Sequence, residues 1–279
     1  MNLLSIAYNS SAPPVGLSIL TWKAPNTLRN TLGALAPISD LFVERFVLCQ
    51  EGDPEEMEIA QSFGFIPVAT ERNLGIQEGL ALAASLPSTE TIMVMECDCL
   101  LRDQINGRSI IELCLMHLET QKLQAIQLQA RITEPTQRFH RYWKAGFPLR
   151  PTLLGRLRRD AAMARTNEAI CLPDFPEIGT EHIKPLGNGI FVAESNTLNW
   201  CNRSFITTKD FFLGKLIKFA REHVTNKKVN GLPDLEHPIN CPENRWWWRN
   251  NRFHIGIVQP GLFGHNRLER PSDDEKKII

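Results

Sequence analysis

The chain has 279 residues, of which 43% are hydrophobic and 22% are charged, and 31 Lys and Arg residues balance 31 Asp and Glu residues. This composition is typical of a globular protein with a sizeable core, and a net charge of zero argues against a dedicated nucleic-acid binder. No stretch approaches the roughly 20 apolar residues that a membrane-spanning helix needs, so we expect a cytoplasmic protein, with room for peripheral membrane contact.

The first half of the chain alternates between strand and helix patterns. Strands are predicted over 17–21, 42–49, 65–69 and 91–95, and helices over 26–35, 54–63 and 73–86. Asn26 and Asp53 are predicted as helix N-caps, and Pro67 indicates that its strand lies at a sheet edge. The alternation predicts an α/β fold with a mostly parallel, doubly wound sheet flanked by helices.

The second half has a less regular pattern. Helices are predicted over 110–120 and 208–223, the latter with Thr208 as its N-cap, and strands over 125–129, 189–193 and 255–258. The segment 131–184 contains five prolines and many charges; it receives no assignment and could carry lid or acceptor loops.

The sharpest local feature is the pair of carboxylates at the end of the apolar strand 91–95. Side chains alternate along a strand, so Glu96 and Asp98 are expected on one side and Cys97 and Cys99 on the other. Ligands of open parallel sheets bind beyond the carboxyl ends of the strands. Two carboxylates there suit Mg²⁺ or Mn²⁺ bridging to phosphates. The alternative is a solvated strand end where acidic residues begin a loop.

Four short motifs in order resemble the nucleotide-sugar-binding half of GT-A glycosyltransferases of the family 2-like group. They are the strand 18–21, the strand and acidic turn 47–53, the helix opening Asn73-Leu74-Gly75, and Glu96-Cys97-Asp98 in the place of an Asp-x-Asp motif. Glu96 departs from the family's first Asp. The resemblance is strongest over 17–101 and weaker over 189–270.

The resemblance implies one GT-A domain over 17–270. Its nucleotide-sugar-binding half would cover 17–101 and its acceptor-side half 102–270. An N-terminal extension, 1–16, and a polar tail, 271–279, would flank the domain.

The same resemblance implies a nucleoside diphosphate sugar as donor, bound by Thr21, Glu51, Asn73, Glu96 and Asp98. Each has an alternative: Thr21 as an ordinary strand residue, Glu51 as a solvated turn acid, and Asn73 as a helix cap. Asp98, with Glu96, would hold Mn²⁺ or Mg²⁺. A mobile turn containing Gly261 and Gly264 would present His265 as a further ligand, the alternative being a solvated loop histidine.

On the acceptor side, Trp200 and Trp247 are candidates to stack on a sugar, with core packing as the alternative. Glu236 or Asp234 would be the general base that deprotonates an acceptor hydroxyl, and the alternative is a solvated loop or helix cap. Arg267 and Arg270 could neutralise a diphosphate.

These inferences lead to a metal-dependent glycosyltransferase that transfers a sugar to a glycan or another hydroxyl acceptor, with inversion if the family 2 resemblance holds. One alternative is a non-catalytic GT-A-like scaffold or carbohydrate-binding protein in a glycan-assembly complex. A less favoured alternative is a nucleotidyltransferase, which typically has a Gly-rich basic loop after the first strand, where this chain has Trp22-Lys23-Ala24-Pro25.

Overall fold

The computed structural model describes residues 13–129, 183–195, 198–241 and 243–269. Its strands are β1 (Val15–Thr21), β2 (Phe42–Cys49), β3 (Ile66–Ala69), β4 (Thr91–Glu96), β5 (Cys99–Leu101), β6 (Ala125–Gln127), β7 (Ile183–Gly187), β8 (Ile190–Glu194), β9 (Ser204–Thr208), β10 (Lys228–Val229), β11 (Leu232–Pro233), β12 (His254–Val258) and β13 (Phe263–His265).

The helices are α1 (Pro25–Leu35), α2 (Pro54–Ser62), α3 (Gly75–Ser85), α4 (Gly107–Thr120), α5 (209–222), α6 (Glu236–Asn240) and α7 (Arg245–Asn251). The middle of α5, Phe212–Ile217, has π-helical hydrogen bonding. In the described part of the chain, no helix is both long and apolar enough to cross a membrane.

One nine-stranded sheet forms the centre of the described structure, in the order β3-β2-β1-β4-β9-β6-β12-β8-β7. Strands β3, β2, β1 and β4 pair in parallel. Strands β9 and β8 are antiparallel to both of their neighbours, so the other seven described strands of this sheet run in one direction. The predicted α/β fold, with a mostly parallel sheet flanked by helices, is confirmed.

The apolar core covers both faces of the sheet. Met93 and Met95 of β4 pack into one cluster with α1 and α4, whereas Ile92 and Val94 pack into a second cluster with α3 and α5. The strand is therefore buried on both faces, as its continuous apolar pattern indicates. Strand β3, with Pro67, lies at an edge of the sheet, as predicted.

Helix starts follow the sequence predictions in two of three cases. Asp53 accepts a hydrogen bond from the Glu55 backbone N–H at 2.9 Å and caps α2, and Thr208 accepts one from the Phe211 N–H at 3.3 Å. Asn26 is not the cap of α1, because the helix already begins at Pro25. Most of the segment 131–184 lies outside the described residues, as do 1–12 and 270–279.

Candidate functional site

A cleft lies at the carboxyl ends of β1 and β4, open to solvent and with an empty volume of about 590 Å³. Its walls include Thr21, Trp22, Gln50, Asn73, Asp98 and Arg267. Parallel strands bring their carboxyl ends to the same edge of a sheet, which explains why segments distant in sequence meet here.

Thr21, the last residue of β1, lines the cleft and is held by a buried glutamate. Its hydroxyl donates a hydrogen bond to Glu56 Oε1 at 2.6 Å, and the Ala24 N–H donates to the same oxygen at 2.8 Å. Glu56 is fully buried, and desolvation raises the pKa of its carboxyl.

Glu51 does not line this cleft, although it was predicted to contact the nucleotide. The backbone turns at Glu51 with φ of +64°, and its carboxylate forms an ion pair with Lys23 at 3.2 Å. The preceding residue, Gln50, lies in the wall instead, and its Oε1 accepts a hydrogen bond from the Leu74 N–H at 2.7 Å. The strand end was predicted correctly, but the side chain that reaches the cleft is its neighbour.

Asn73 is a wall residue of the cleft that also contacts the start of α3. It lies in the cleft wall, and its Oδ1 accepts a hydrogen bond from the Gly75 N–H at 2.7 Å, at the start of α3.

Asp98 and His265 meet at the cleft, as the sequence predicted for two residues far apart in the chain. His265 Nε2 lies 2.9 Å from Asp98 Oδ2, and the Asn266 N–H donates to the Asp98 carbonyl at 2.7 Å. Asp98 is buried, whereas the His265 side chain is half exposed. The segment is not the predicted mobile turn, because Gly264 and His265 belong to β13, which pairs antiparallel with β5.

Glu96 ends β4 and lies beside Asp98 in the cleft wall. Desolvation, followed by the nearby Asp98 and Glu236 carboxylates, raises the pKa of Glu96 to about 8. The positive charges of Arg203 and Arg267 act in the opposite direction. Acids from both halves of the chain therefore converge here, with two arginines nearby.

The Asp98–His265 pair has the chemistry of a partial metal site. Among the described residues, no group of three or more His, Cys, Asp or Glu side chains is placed to hold a metal ion. Mg²⁺, however, is commonly held by only one or two carboxylates together with substrate phosphates, and neighbouring ligands of an octahedral ion with bonds of about 2.1 Å lie about 3 Å apart. The 2.9 Å between Asp98 and His265 is the distance of a direct ion pair, and the same distance is compatible with two neighbouring ligands of one ion.

The two predicted general-base candidates have different surroundings. The buried Asp234 accepts hydrogen bonds from the N–H groups of Glu236 and His237, both at 3.3 Å, so it serves the start of α6. Glu236 is partly exposed and accepts a hydrogen bond from the Asn202 N–H at 2.9 Å. Glu236 lies close enough to Glu96 for its negative charge to raise the pKa of that carboxyl.

The two predicted acceptor-side tryptophans pack within the protein. Trp200 is 1% exposed and makes edge contacts with Phe205 and Trp248, so the prediction that it stacks on a sugar is wrong. Trp247 stacks on Phe219 with ring centroids 4.0 Å apart and does not line this cleft. Trp246, in contrast, is 53% exposed.

Arg267 lies in the cleft wall, and its Nε donates to the Glu269 carbonyl at 2.9 Å. Arg270, the second predicted diphosphate contact, lies outside the described residues.

No family model matches the sequence, and a comparison with curated proteins finds no match either. The structure of Staphylococcus aureus TarS 1–349 matches with a TM-score of 0.50 and 10% identity, over 91% of this chain and 60% of TarS 1–349. The chain has the GT-A fold. At this identity the likeness to TarS is one of fold, and the chain spans about three fifths of TarS 1–349.

Two further GT-A structures show weaker similarity. Glucosyl-3-phosphoglycerate synthase from Mycobacterium tuberculosis, in complex with Mn²⁺, UDP and glucosyl-3-phosphoglycerate, matches with a TM-score of 0.48 and 12% identity, over 94% of this chain and 75% of the synthase. The mannosyltransferase PcManGT from Pyrobaculum calidifontis, in complex with GDP-Man and Mn²⁺, matches with a TM-score of 0.38 and 12% identity, over 57% of this chain and 41% of PcManGT.

Proposed function

We propose that this chain is a metal-dependent glycosyltransferase that moves a sugar from a nucleoside diphosphate sugar to an acceptor hydroxyl. The observation that carries this proposal is the Asp98–His265 pair, separated by 2.9 Å at a cleft on the carboxyl edge of a GT-A sheet. In open α/β sheets this edge is where ligands bind.

In this proposal the nucleoside lies against Thr21, Gln50 and Asn73, which all line the cleft. Gln50 replaces Glu51 as the polar contact from the end of β2, because Glu51 pairs with Lys23. The diphosphate lies beside Asp98 and Arg267, where the guanidinium supplies a charged donor for phosphate oxygens.

Asp98 and His265 would hold the divalent ion, either Mn²⁺ or Mg²⁺, with Glu96 as the neighbouring acid. Such an ion, when bound, offsets the negative charge that develops on the departing diphosphate. The buried setting of Asp98 strengthens its interaction with a cation, since fewer water molecules screen the two charges.

Glu236 is the proposed general base. The Asn202 N–H fixes one carboxylate oxygen, and the other takes the proton of the acceptor hydroxyl. The acceptor oxygen then bonds to the anomeric carbon, while the bond from that carbon to the diphosphate oxygen breaks and the electron pair leaves with the diphosphate. Attack from the face opposite the leaving group inverts the anomeric configuration.

Donor turnover across a Mn²⁺ titration tests the proposal. Wild type should release nucleoside diphosphate only with a divalent ion, and Asp98→Ala should abolish this activity. His265→Ala should raise the Mn²⁺ concentration for half-maximal turnover roughly tenfold or more, because one ligand is lost. His254→Ala, which removes another exposed histidine, is the matched control. An unchanged titration for His265→Ala would show that His265 is not a ligand.

The same assay separates the alternatives. Binding of a nucleotide sugar without turnover would support a non-catalytic scaffold, and turnover that releases pyrophosphate would support a nucleotidyltransferase. The turn after β1 argues against the latter, because it contains no glycine and its Lys23 is paired with Glu51.

A further inference from the structure

Glu269 joins the C-terminal segment to the start of α1. Its carboxylate accepts hydrogen bonds from the Asn26 N–H at 2.6 Å, the Thr27 N–H at 3.0 Å and the Thr27 hydroxyl. The Leu268 N–H donates in turn to Thr27 Oγ1 at 2.9 Å. Two residues near the end of the described chain are therefore fixed to the first turn of a helix near its beginning.

Glu269 provides the hydrogen-bond acceptors that the N-terminus of α1 lacks within its own helix. The first N–H groups of a helix have no partner within the helix, and a negative charge there is favourable. In the described structure the residue before α1, Ala24, offers no side-chain cap, and the first turn contains no acidic residue. Glu269 supplies both the acceptor oxygens and the charge.

Arg267 lies between two anchored ends of the same segment. On one side the Asn266 N–H is bound to the Asp98 carbonyl, and β13 is paired with β5. On the other side, Glu269 is bound to α1, and the Arg267 Nε donates to the Glu269 carbonyl at 2.9 Å. A guanidinium held through its Nε keeps its two terminal nitrogen atoms free to face the cleft that Arg267 lines.

We propose that Glu269 is a positioning residue: its attachment to α1 holds the Arg267 guanidinium in the cleft, ready for the diphosphate of the donor. This inference rests on the proposed function. It assigns no direct contact with substrate to Glu269. The β13–β5 pairing and the Asn266–Asp98 hydrogen bond do not involve Glu269. Removal of the Glu269 side chain should therefore loosen Arg267 in the cleft while His265 stays beside Asp98.

The test is a double-mutant cycle on the full chain, with the affinity for UDP, GDP, CDP and ADP measured at saturating Mn²⁺. Arg267→Ala should weaken diphosphate binding about tenfold to a hundredfold, as expected for loss of charged hydrogen bonds. Glu269→Ala should weaken it by a similar or smaller factor, but should add little in the Arg267→Ala background. The Mn²⁺ requirement of Glu269→Ala should match that of wild type.

Glu55→Ala is the matched control, since this exposed glutamate also contacts α1, through Arg29 at 3.6 Å, and should leave diphosphate affinity unchanged. If Glu269→Ala fails to fold, Glu269→Gln replaces it, because the amide oxygen keeps one acceptor for the helix start.

Additive losses, an unchanged affinity in Glu269→Ala, or a raised Mn²⁺ requirement in that variant would each overturn the positioning role. If wild type binds none of the four diphosphates, the proposed function itself fails. If wild type binds one of them but the cycle is additive, only the role of Glu269 fails.

Discussion

The buried Glu56 does not line the cleft but holds the cleft residue Thr21 in place. One carboxylate oxygen holds the Thr21 hydroxyl and the Ala24 N–H, while the other has no hydrogen-bond partner among the described residues. Burial, the largest effect, raises the pKa of this carboxyl above its usual value. The fold therefore favours the protonated acid.

This gives stability a definite dependence on pH. Below the unfolded-state pKa of about 4.5 both states are protonated, and above it the unfolded state ionises more readily, so the free energy of unfolding falls until the folded-state pKa is passed. Glu56→Gln removes this dependence and keeps an acceptor oxygen. We expect wild type to lose stability relative to Glu56→Gln as the pH rises above about 4.5, because the unfolded state then releases the proton that the folded state retains.

Urea unfolding of both proteins at several pH values provides the measurement. The exposed Glu55→Gln variant is the control and should follow wild type at every pH. A difference between wild type and Glu56→Gln that stays constant with pH would contradict the raised pKa.

At the residue scale, the sequence predicted the positions of Thr21, Asp98 and His265 because strand ends and a motif marked them. It did not distinguish Gln50 from Glu51, since that choice depends on a left-handed turn whose effect on the side chains is visible only in three dimensions. The sequence also left two roles open for Trp200, because a tryptophan can pack in a core or stack on a sugar and the residue type alone does not distinguish the two.

At the scale of elements, Gly75, the first residue of α3, packs against Leu232 of the hairpin β10–β11. Its φ is +75°, and a Cβ added there would lie 2.7 Å from Leu232 Cβ. Relief requires movement of the hairpin backbone, which carries the cleft residues Val229 and Asn230. Gly75→Ala should therefore cost about 1–3 kcal/mol in stability and also weaken nucleotide binding.

Gly33→Ala in α1 is a matched substitution with the opposite expectation. The nearest atoms to its added Cβ belong to Phe63, at 4.0 Å, so alanine should stabilise the helix by about 0.5–1 kcal/mol. Denaturant midpoints measure the stability change of each variant, and nucleotide affinity shows whether only Gly75→Ala weakens binding. If Gly75→Ala changed stability as Gly33→Ala does, the hairpin would have moved away from the added methyl group without loss of stability.

Elements with long periodic patterns were predicted best, including β1, β2, β4 and the helices α1 to α5. The pair β5–β13 was missed because each strand has only three residues, too few for a periodic signal. The β5–β13 pairing matters for the site, because it takes the place of the expected mobile turn and brings His265 beside Asp98.

At the scale of the whole molecule, the two halves of the chain share one sheet. Strand β9 from the second half lies between β4 and β6, and pairs antiparallel with both. Sequence order did not predict this insertion, because pairing between distant strands leaves no local pattern. The pairing of β13 with β5 and the Glu269 contact with α1 add further connections between the halves.

This shared sheet predicts that the halves unfold together. Without β9, the edge of β4 would expose unpaired backbone groups and the buried side chains Ile92 and Val94 would lose Phe205, so a folded 13–101 segment alone would be costly. Hydrogen–deuterium exchange in increasing urea, read from peptides covering 15–49 and 204–222, should show loss of protection at the same urea concentration. A peptide covering the mostly exposed segment 224–231 provides the reference for local fraying. Two separate transitions for the sheet peptides would instead mean that the nucleotide-side strands form an independently stable unit, in which case β9 would be docked on the sheet rather than required by it.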